Sequence, residues 1–230
     1  MKKKTFLHRL ILIFFLANII NIYPTTVFAD KRCPTIGNKV KINIKNTPAR
    51  VIYKFNHSRG DLERMQRKRG RHITSGKFNV LGLTLTEFKY TLKTSVKILK
   101  IPGGYFCAYP ISYDLKIGYE DFFVFIDRRY KPGTCEHKAV LEHENSHVRL
   151  YKHHLKKHLP YIKKYARNAT LNVGTVVVSS PDLGSKHIQG KFQRRIIPLI
   201  KKMNREANLS NARIDTPQSY KKLQSLCKNW

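Results

Sequence analysis

Acidic residues are scarce in this chain. It has 14 Asp and Glu against 45 Lys and Arg over 230 residues, which gives a net charge of +31 at pH 7. A protein this basic attracts polyanions. No nucleic-acid-binding motif is visible, and no run alternates aromatic with basic residues as a base-stacking surface does. Candidate partners are an anionic envelope polymer, a membrane surface or an acidic substrate, and no specific nucleic acid is expected. The charge alone names none of these candidates as the partner.

Long apolar runs are also lacking, apart from Leu10 to Ile20, which is short for a membrane span. Basic residues precede this run, and Val27-Phe28-Ala29 places small residues at the −3 and −1 positions of a cleavage site. The pattern predicts a signal peptide over residues 1–29, cleaved after Ala29, and a single mature domain over residues 30–230, periplasmic or secreted. The mature domain would carry +27, because four basic and no acidic residues precede it. An uncleaved anchor is the alternative.

Cysteines are few, and no two form the CxxC pair of a structural zinc site. The four are Cys33, Cys107, Cys135 and Cys227. An even number in an exported chain predicts two disulfides, for which three connectivities are open. The favoured pairs are Cys107–Cys135, which would tie a strand region to the start of a helix, and Cys33–Cys227, which would tie the two ends of the mature chain.

The first half of the mature chain is patterned for strands and the second half for helices, which predicts an α+β domain with an antiparallel sheet. Strands are expected over Lys39–Lys45 and Ala49–Phe55, with two more in each of the segments 78–99 and 105–126, and a short one over Thr170–Ser179. Helices are expected over Ser58–Arg71, from Cys135 to about Leu159 with a continuation to about Asn168, over Lys186–Asn208, and from Pro217 onward, with Thr134 and Thr216 as N-caps.

The most informative feature is His143-Glu144-Asn145-Ser146-His147, an HExxH pattern inside the first long predicted helix. Residues four apart lie on one face of a helix, so both imidazoles can reach one Zn²⁺. Glu144 is then placed to act as general base on a zinc-bound water rather than on the metal itself. The alternative is a solvated helix face with incidental histidines.

A catalytic zinc takes a third protein ligand. His153 has the metzincin spacing from His147, but in a continuous helix it lies about 15 Å along the axis from His143, so it is not favoured. After the pattern the only acids are Asp182, Glu206 and Asp215. Glu206 and Asp215 are both candidates. The simpler alternatives are a Glu206–Lys202 pair on a helix surface and a helix-start role for Asp215.

The HExxH helix with a distal carboxylate resembles the zincin metallopeptidases, of gluzincin type if Glu206 binds and of aspzincin type if Asp215 does. The order of Cys135, the HExxH pattern, the Asn211–Tyr220 segment and Cys227 also resembles small uncharacterised secreted zincin-like proteins of Gram-negative bacteria, over residues 105–230. The resemblance implies peptide hydrolysis and a substrate-holding edge strand at Phe122–Ile126. The metzincin Gly and the gluzincin Asn-Glu-x-x-x-Asp pattern are absent.

Peptide and cell-wall amide hydrolysis both remain open as the reaction. An oxyanion donor is expected in such a site, and Tyr220 and Tyr151 are the candidates, although each also suits a packing role. Two other functions stay open. The stripe His143, His147, His154 and His158 could bind metal without catalysis, and the chain could be a cationic polymer-binding module with a vestigial zincin helix.

Overall fold

The computed structural model describes residues 33–37, 39–68 and 80–230, so the predicted signal peptide lies outside the described residues. The strands are β1 (Lys41–Thr47), β2 (Val51–His57), β3 (Gly82–Leu85), β4 (Phe88–Ile101), β5 (Tyr105–Tyr119), β6 (Phe122–Asp127) and β7 (Val176–Val178). The helices are α1 (Arg59–Lys68), α2 (Cys135–Val173), α3 (Pro181–Ile214) and α4 (Pro217–Gln224).

Two sheets are built from three long segments that each bend once. The first sheet has the order β1-β5-β4, with β7 also paired to β5, and the second has the order β2-β6-β3. The two strand orders correspond position by position, because the chain continues from β1 into β2, from β5 into β6 and from β3 into β4. Hydrogen bonds continue across the bend, where the Phe122 N–H donates to the Arg50 carbonyl and the Glu120 N–H to the Glu87 carbonyl, both at 2.8 Å.

The predicted α+β class is confirmed, and its sheets are mixed. The expected antiparallel pairing is found between β4 and β5, β3 and β6, and β5 and β7. By contrast, β1 pairs with β5 and β2 with β6 in parallel. A parallel pair needs a long crossover connection. The chain between β2 and β6, which includes α1, β3, β4 and β5, provides it.

Both long helices extend beyond their predicted ends. α2 continues through Pro160 to Val173, and α3 begins at Pro181 and continues through Pro198 to Ile214. A proline removes one helical hydrogen bond, and both prolines lie on exposed faces, where water can satisfy the freed carbonyl. None of the described helices is long and apolar enough to span a membrane.

The core lies between the first sheet and α3, with α2 packed beside them. The Tyr113 ring of β5 stacks on the Phe192 ring of α3, with centroids 4.1 Å apart. Gly184 lets α3 approach the sheet, because a Cβ at that position would lie 2.6 Å from the Ala108 Cβ. The N-terminal part of α2 instead packs against β3 and β6 of the second sheet. These contacts bring the HExxH segment beneath the second sheet.

The predicted pairing of the cysteines is wrong. The disulfides are Cys33–Cys107 and Cys135–Cys227, with Cα–Cα distances of 5.7 and 5.9 Å. The chain after α4 returns to the start of α2, where the Asn229 N–H donates to Glu136 at 3.1 Å. This return brings Cys227 to Cys135 rather than to the N-terminal end. Two disulfides are typical of extracellular and periplasmic proteins.

Candidate functional site

The two histidines of the HExxH pattern lie on one face of α2, as their spacing predicts. Thr134 caps this helix as expected, with its hydroxyl accepting from the His137 N–H at 3.2 Å. The side chains of His143 and His147 are 10% and 6% exposed. Their rings are almost perpendicular, with centroids 5.1 Å apart. The helix therefore presents two imidazoles to one small region.

Asp215 meets both of these histidines. It is the residue between α3 and α4, directly before the N-cap Thr216. A single oxygen, Oδ1, lies 3.2 Å from the His143 Nε2 and 3.0 Å from the His147 Nε2. The positive end of the α4 dipole favours a carboxylate at this place. Asp215 thus brings a negative charge to the open side of the histidine pair.

The two distances from Asp215 to the imidazoles fit a metal ion. An ion with tetrahedral bonds of about 2.0–2.1 Å holds neighbouring ligand atoms roughly 3.3 Å apart. The 3.0 and 3.2 Å distances from Asp215 to the two imidazoles are close to that value. Donor atoms of His143, Glu144 and His147 also lie within 4.8 Å of one another. This buried group could bind a metal ion, and its geometry alone does not specify which metal.

Asn211 orients the second histidine. Its side-chain oxygen lies 2.9 Å from the His147 Nδ1, and its own NH₂ donates to the Ala207 carbonyl at 2.8 Å. The bond to Ala207 fixes the Asn211 oxygen toward His147, so Nδ1 is the nitrogen that carries the hydrogen. Nε2 is then the nitrogen that could bind a cation in exchange for its own hydrogen, which is the usual arrangement around a metal-bound histidine.

Glu144 is held against the second sheet by β3. The Thr84 hydroxyl lies 2.7 Å from the Glu144 Oε2 and 3.1 Å from its backbone carbonyl. Gly82 allows this close approach, because a Cβ there would be 2.7 Å from the Glu144 Oε1 and 2.7 Å from Val140. Glu144 is only 3% exposed. The strand therefore fixes the carboxylate in a single position beside the histidines.

The two tyrosine candidates have different positions. The Tyr220 hydroxyl lies 3.4 Å from the Asp215 Oδ1, and its ring centroid is 5.4 Å from that of His143. Tyr151, by contrast, packs its ring against the aromatic core, and its hydroxyl donates to Asn208 at 3.3 Å. Tyr220 belongs to the site, whereas Tyr151 is a packing residue between α2 and α3.

The site shifts the pKa values of Glu144, His147, Asp215 and Tyr220. Burial raises the pKa of Glu144 despite the opposing charges of His147 and His143. Burial alone would lower the pKa of His147, but the hydrogen bond to Asp215 and the charge of Glu144 outweigh it and raise this pKa to about 9. For Asp215, the hydrogen bonds from both histidines overcome burial and hold the pKa well below its usual range. Burial and the two carboxylates raise the pKa of Tyr220.

Glu206, the alternative to Asp215 as third ligand, lies at a different place along α2 from the HExxH histidines. Its Oε2 lies 2.8 Å from the His158 Nε2, further along α2. Glu206 precedes Asp215 by nine residues, which is about 13 Å along a helix. It forms a second group with His154 and His158, in which one donor atom from each residue lies within 4.8 Å of the others. His153, which was not favoured, is exposed on α2.

Sequence reasoning placed the edge strand wrongly and missed two site residues. The expected edge, Phe122–Ile126, falls in β6, which is the middle strand of the second sheet, and the strand at the site is β3. Thr84 was missed because its strand is separated from the HExxH pattern by about 60 residues. Asn211 carried one usable signal, since it precedes Asp215 by one helical turn and so shares its side of α3.

No family model, no curated protein and no solved structure matches this chain.

Proposed function

We propose that this protein is a zinc-dependent hydrolase of the periplasm or the extracellular space, and that it cleaves amide bonds in peptides or cell-wall polymers. The observation that carries the proposal is the position of Asp215, with one oxygen within 3.2 Å of both HExxH imidazoles. If the histidines were incidental residues on a helix surface, a carboxylate from a distant turn would not be expected to contact both Nε2 atoms.

His143, His147 and Asp215 would hold the ion. Two imidazoles and one carboxylate form a set typical of catalytic zinc, which leaves a fourth position open. When bound, Zn²⁺ supplies a Lewis acid that polarises a carbonyl and lowers the pKa of water. Asn211 holds the His147 ring in the orientation that this binding requires, through its bond to Nδ1.

Glu144 is proposed as the general base. It follows the first proposed ligand directly and lies against Thr84, so it would be next to a bound ion without being one of its ligands. Its raised pKa suits a group that accepts a proton from water and then gives it to a leaving amine. The hydrogen bond from Thr84 keeps the carboxylate in place through both transfers.

Tyr220 is proposed as the donor to the oxyanion that develops on the carbonyl. Its hydroxyl lies 3.4 Å from the Asp215 Oδ1. The raised pKa keeps this hydroxyl protonated at neutral pH, as a hydrogen-bond donor must be. The disulfide Cys135–Cys227 fastens the end of the chain just beyond α4 to the start of α2, which limits how far Tyr220 can move away.

The substrate would enter beside β2. Tyr53 is 44% exposed and its hydroxyl donates to Asn145, within the HExxH pattern, at 3.0 Å. Phe55 lies two residues further on the same strand face, 4.9 Å from the His137 ring by centroids. These aromatic side chains offer an apolar contact surface next to the site. The high positive charge of the chain favours a substrate or an envelope polymer that is acidic.

A second candidate function is metal binding without catalysis, and the group of His154, His158 and Glu206 favours it. The two functions differ in what Glu144 does. A metal-binding protein tolerates Glu144→Gln without loss, whereas a hydrolase keeps its metal and loses turnover.

The test of the proposal is the metal content and hydrolytic activity of the disulfide-bonded protein. Peptide and cell-wall substrates are assayed beside the variant His143→Ala/His147→Ala, with His153→Ala as the matched control on the exposed face of α2. We expect the double variant to lose one zinc and all turnover, and the control to lose neither. Equal zinc in the wild type and the double variant would overturn the proposal.

A further inference from the structure

Three turns beyond the HExxH pattern, α2 repeats its histidine spacing. His154 and His158 are four residues apart and follow His143 and His147 by eleven residues each. Eleven residues are just over three helical turns, so the second pair lies on the same face of α2, about 16 Å along its axis. The rings of His154 and His158 are nearly parallel, at 21°, with centroids 6.3 Å apart.

α3 supplies a carboxylate to this pair as well. The Glu206 Oε2 lies 2.8 Å from the His158 Nε2, and the side chains are 32% and 16% exposed. One donor atom from each of His154, His158 and Glu206 lies within 4.8 Å of the other two. Two imidazoles and a carboxylate from two facing helices therefore converge for a second time.

His154 gives an independent indication of a ligand. It is 9% exposed, and its Nε2 lies 2.9 Å from the Ser210 hydroxyl. Its Nδ1 is buried and has no hydrogen-bond partner among the described residues. Burying a polar nitrogen without a partner costs free energy, so such atoms commonly mark a missing water or ion. When Nε2 donates its hydrogen to Ser210, Nδ1 carries the lone pair that a metal ion needs.

We propose that His154, His158 and Glu206 form a second site for a divalent transition metal, with Zn²⁺ as the ion, and that this site ties α2 to α3. Two imidazoles with one carboxylate suit zinc and its neighbours rather than calcium or magnesium, which prefer oxygen ligands alone. The proposal does not depend on the proposed hydrolase activity, because it rests on residues outside the HExxH group.

The second site is structural rather than catalytic. Leu155 occupies the position after the first histidine, where the HExxH pattern has Glu144, so no base is available there. Lys156 and Lys157 follow, and both are exposed. Tyr151 separates the two groups on α2, with its hydroxyl bonded to Asn208 of α3. An ion held at His154 and His158 would therefore stabilise the helix pair without joining the first site.

The neighbouring charges predict that the second site is the weaker one. Lys157 and Lys202 lie close enough to influence Glu206, and His153 lies beside His154. Positive side chains around the group oppose the entry of a cation. At the first site, by contrast, Asp215 and Glu144 both face the histidines. We therefore expect zinc to fill the first site at a lower concentration than the second.

The test is equilibrium dialysis of the full disulfide-bonded protein against Zn²⁺, with Co²⁺ absorption as a second readout. We expect two zinc ions per chain in the wild type and in the control His153→Gln. The variant His143→Ala/His147→Ala should keep one, and adding His158→Gln and Glu206→Gln to it should remove that one. Zinc should raise the unfolding midpoint of the double variant and not that of the quadruple variant. Circular dichroism without zinc verifies that each variant is folded.

The outcomes separate the two sites. A folded His143→Ala/His147→Ala variant that binds no zinc would overturn the second site and leave the proposed hydrolase intact. Zinc that is lost on His158→Gln/Glu206→Gln but unaffected by His143→Ala/His147→Ala would support the second site and remove the hydrolase proposal. Two zinc ions retained in His158→Gln/Glu206→Gln would show that the second ion binds elsewhere.

Discussion

The two histidine pairs of α2 share a spacing, a helix face and a facing carboxylate, yet they differ in everything around them. At His143 and His147, one oxygen of Asp215 meets both rings. At His154 and His158, Glu206 bonds to His158 and a serine bonds to His154. The first carboxylate comes from the turn between α3 and α4, and the second from within α3.

The first pair has further chemical groups delivered to it by elements other than α2 and α3. β3 brings Thr84 to Glu144, α4 brings Tyr220, and a disulfide fastens the end of the chain nearby. The second pair has Leu155 in place of the glutamate and lysines beside it. A helix readily supplies a pair of metal ligands, whereas a reactive site needs a base, a donor and an orienting residue from separate parts of the fold.

The largest expected effect comes from removing the group that the second pair lacks. Glu144→Gln should lower turnover by roughly 10²- to 10⁴-fold, because it removes a general base. The zinc content should not change, since Glu144 is not a proposed ligand. Kinetics on the amide substrate and metal analysis measure the two quantities. Glu142→Gln is the matched control, because Glu142 is on the same helix, is 69% exposed and pairs with Arg149. Equal turnover in Glu144→Gln and Glu142→Gln would mean that Glu144 is not a general base. The first histidine pair would then lack this difference from the second.

A smaller effect should come from the residues that orient the histidines. Asn211→Ala should weaken zinc binding at the first site by about 10- to 100-fold, because the His147 ring loses its fixed orientation. Ser210→Ala, one residue earlier on α3, should leave that affinity unchanged and weaken only the second site. Competition with a zinc-binding dye, in variants that retain one site each, measures both affinities. If Asn211→Ala has no effect, the bond to His147 Nδ1 contributes only to packing.

The close approach of β3 to the first pair can be tested at Gly82. In Gly82→Ala the new methyl group would lie 2.7 Å from Val140 and from the Glu144 carboxylate. Overpacking of this kind costs about 1–3 kcal/mol of unfolding free energy. Gly190→Ala in α3 meets only the end of Arg194 at 3.5 Å, and we expect it to stabilise the helix by about 0.5–1 kcal/mol. Chemical denaturation measures both. Equal stability in the two variants would mean that β3 is not held tightly against the site.

The metal-free protein should show opposite pH dependence at the two pairs. The pKa of His147 is raised to about 9, so its stabilising contribution is complete below about pH 6.5 and is lost as the pH rises through 9. Burial lowers the pKa of His154, so its contribution instead grows with pH and is lost on acidification. Unfolding midpoints between pH 5 and 9, compared with Asp215→Asn, measure the first effect. A wild type and an Asp215→Asn variant with parallel curves would contradict it.

Local patterns predicted the elements that form locally. The strand alternation, the caps at Thr134 and Thr216 and the histidine spacing all involve residues within a few positions of each other, and the structure has each of these features. The helix ends were less predictable, because both prolines lie where solvent compensates for the lost hydrogen bond. The sequence also leaves open whether Glu206 or Asp215 is the third ligand, because that depends on where α3 lies along α2.

By itself, the sequence determined the helix that presents two histidines and a glutamate, the α+β order and the unusual positive charge, because these depend on residue type and short spacing. The cysteine pairing, the assignment of one carboxylate to each histidine pair, and the contacts of Thr84 and Asn211 depend on long-range packing. Each of these joins residues more than 45 positions apart. The physical reason is that such contacts follow from how two long helices and a bent sheet pack together, and no local pattern encodes that packing.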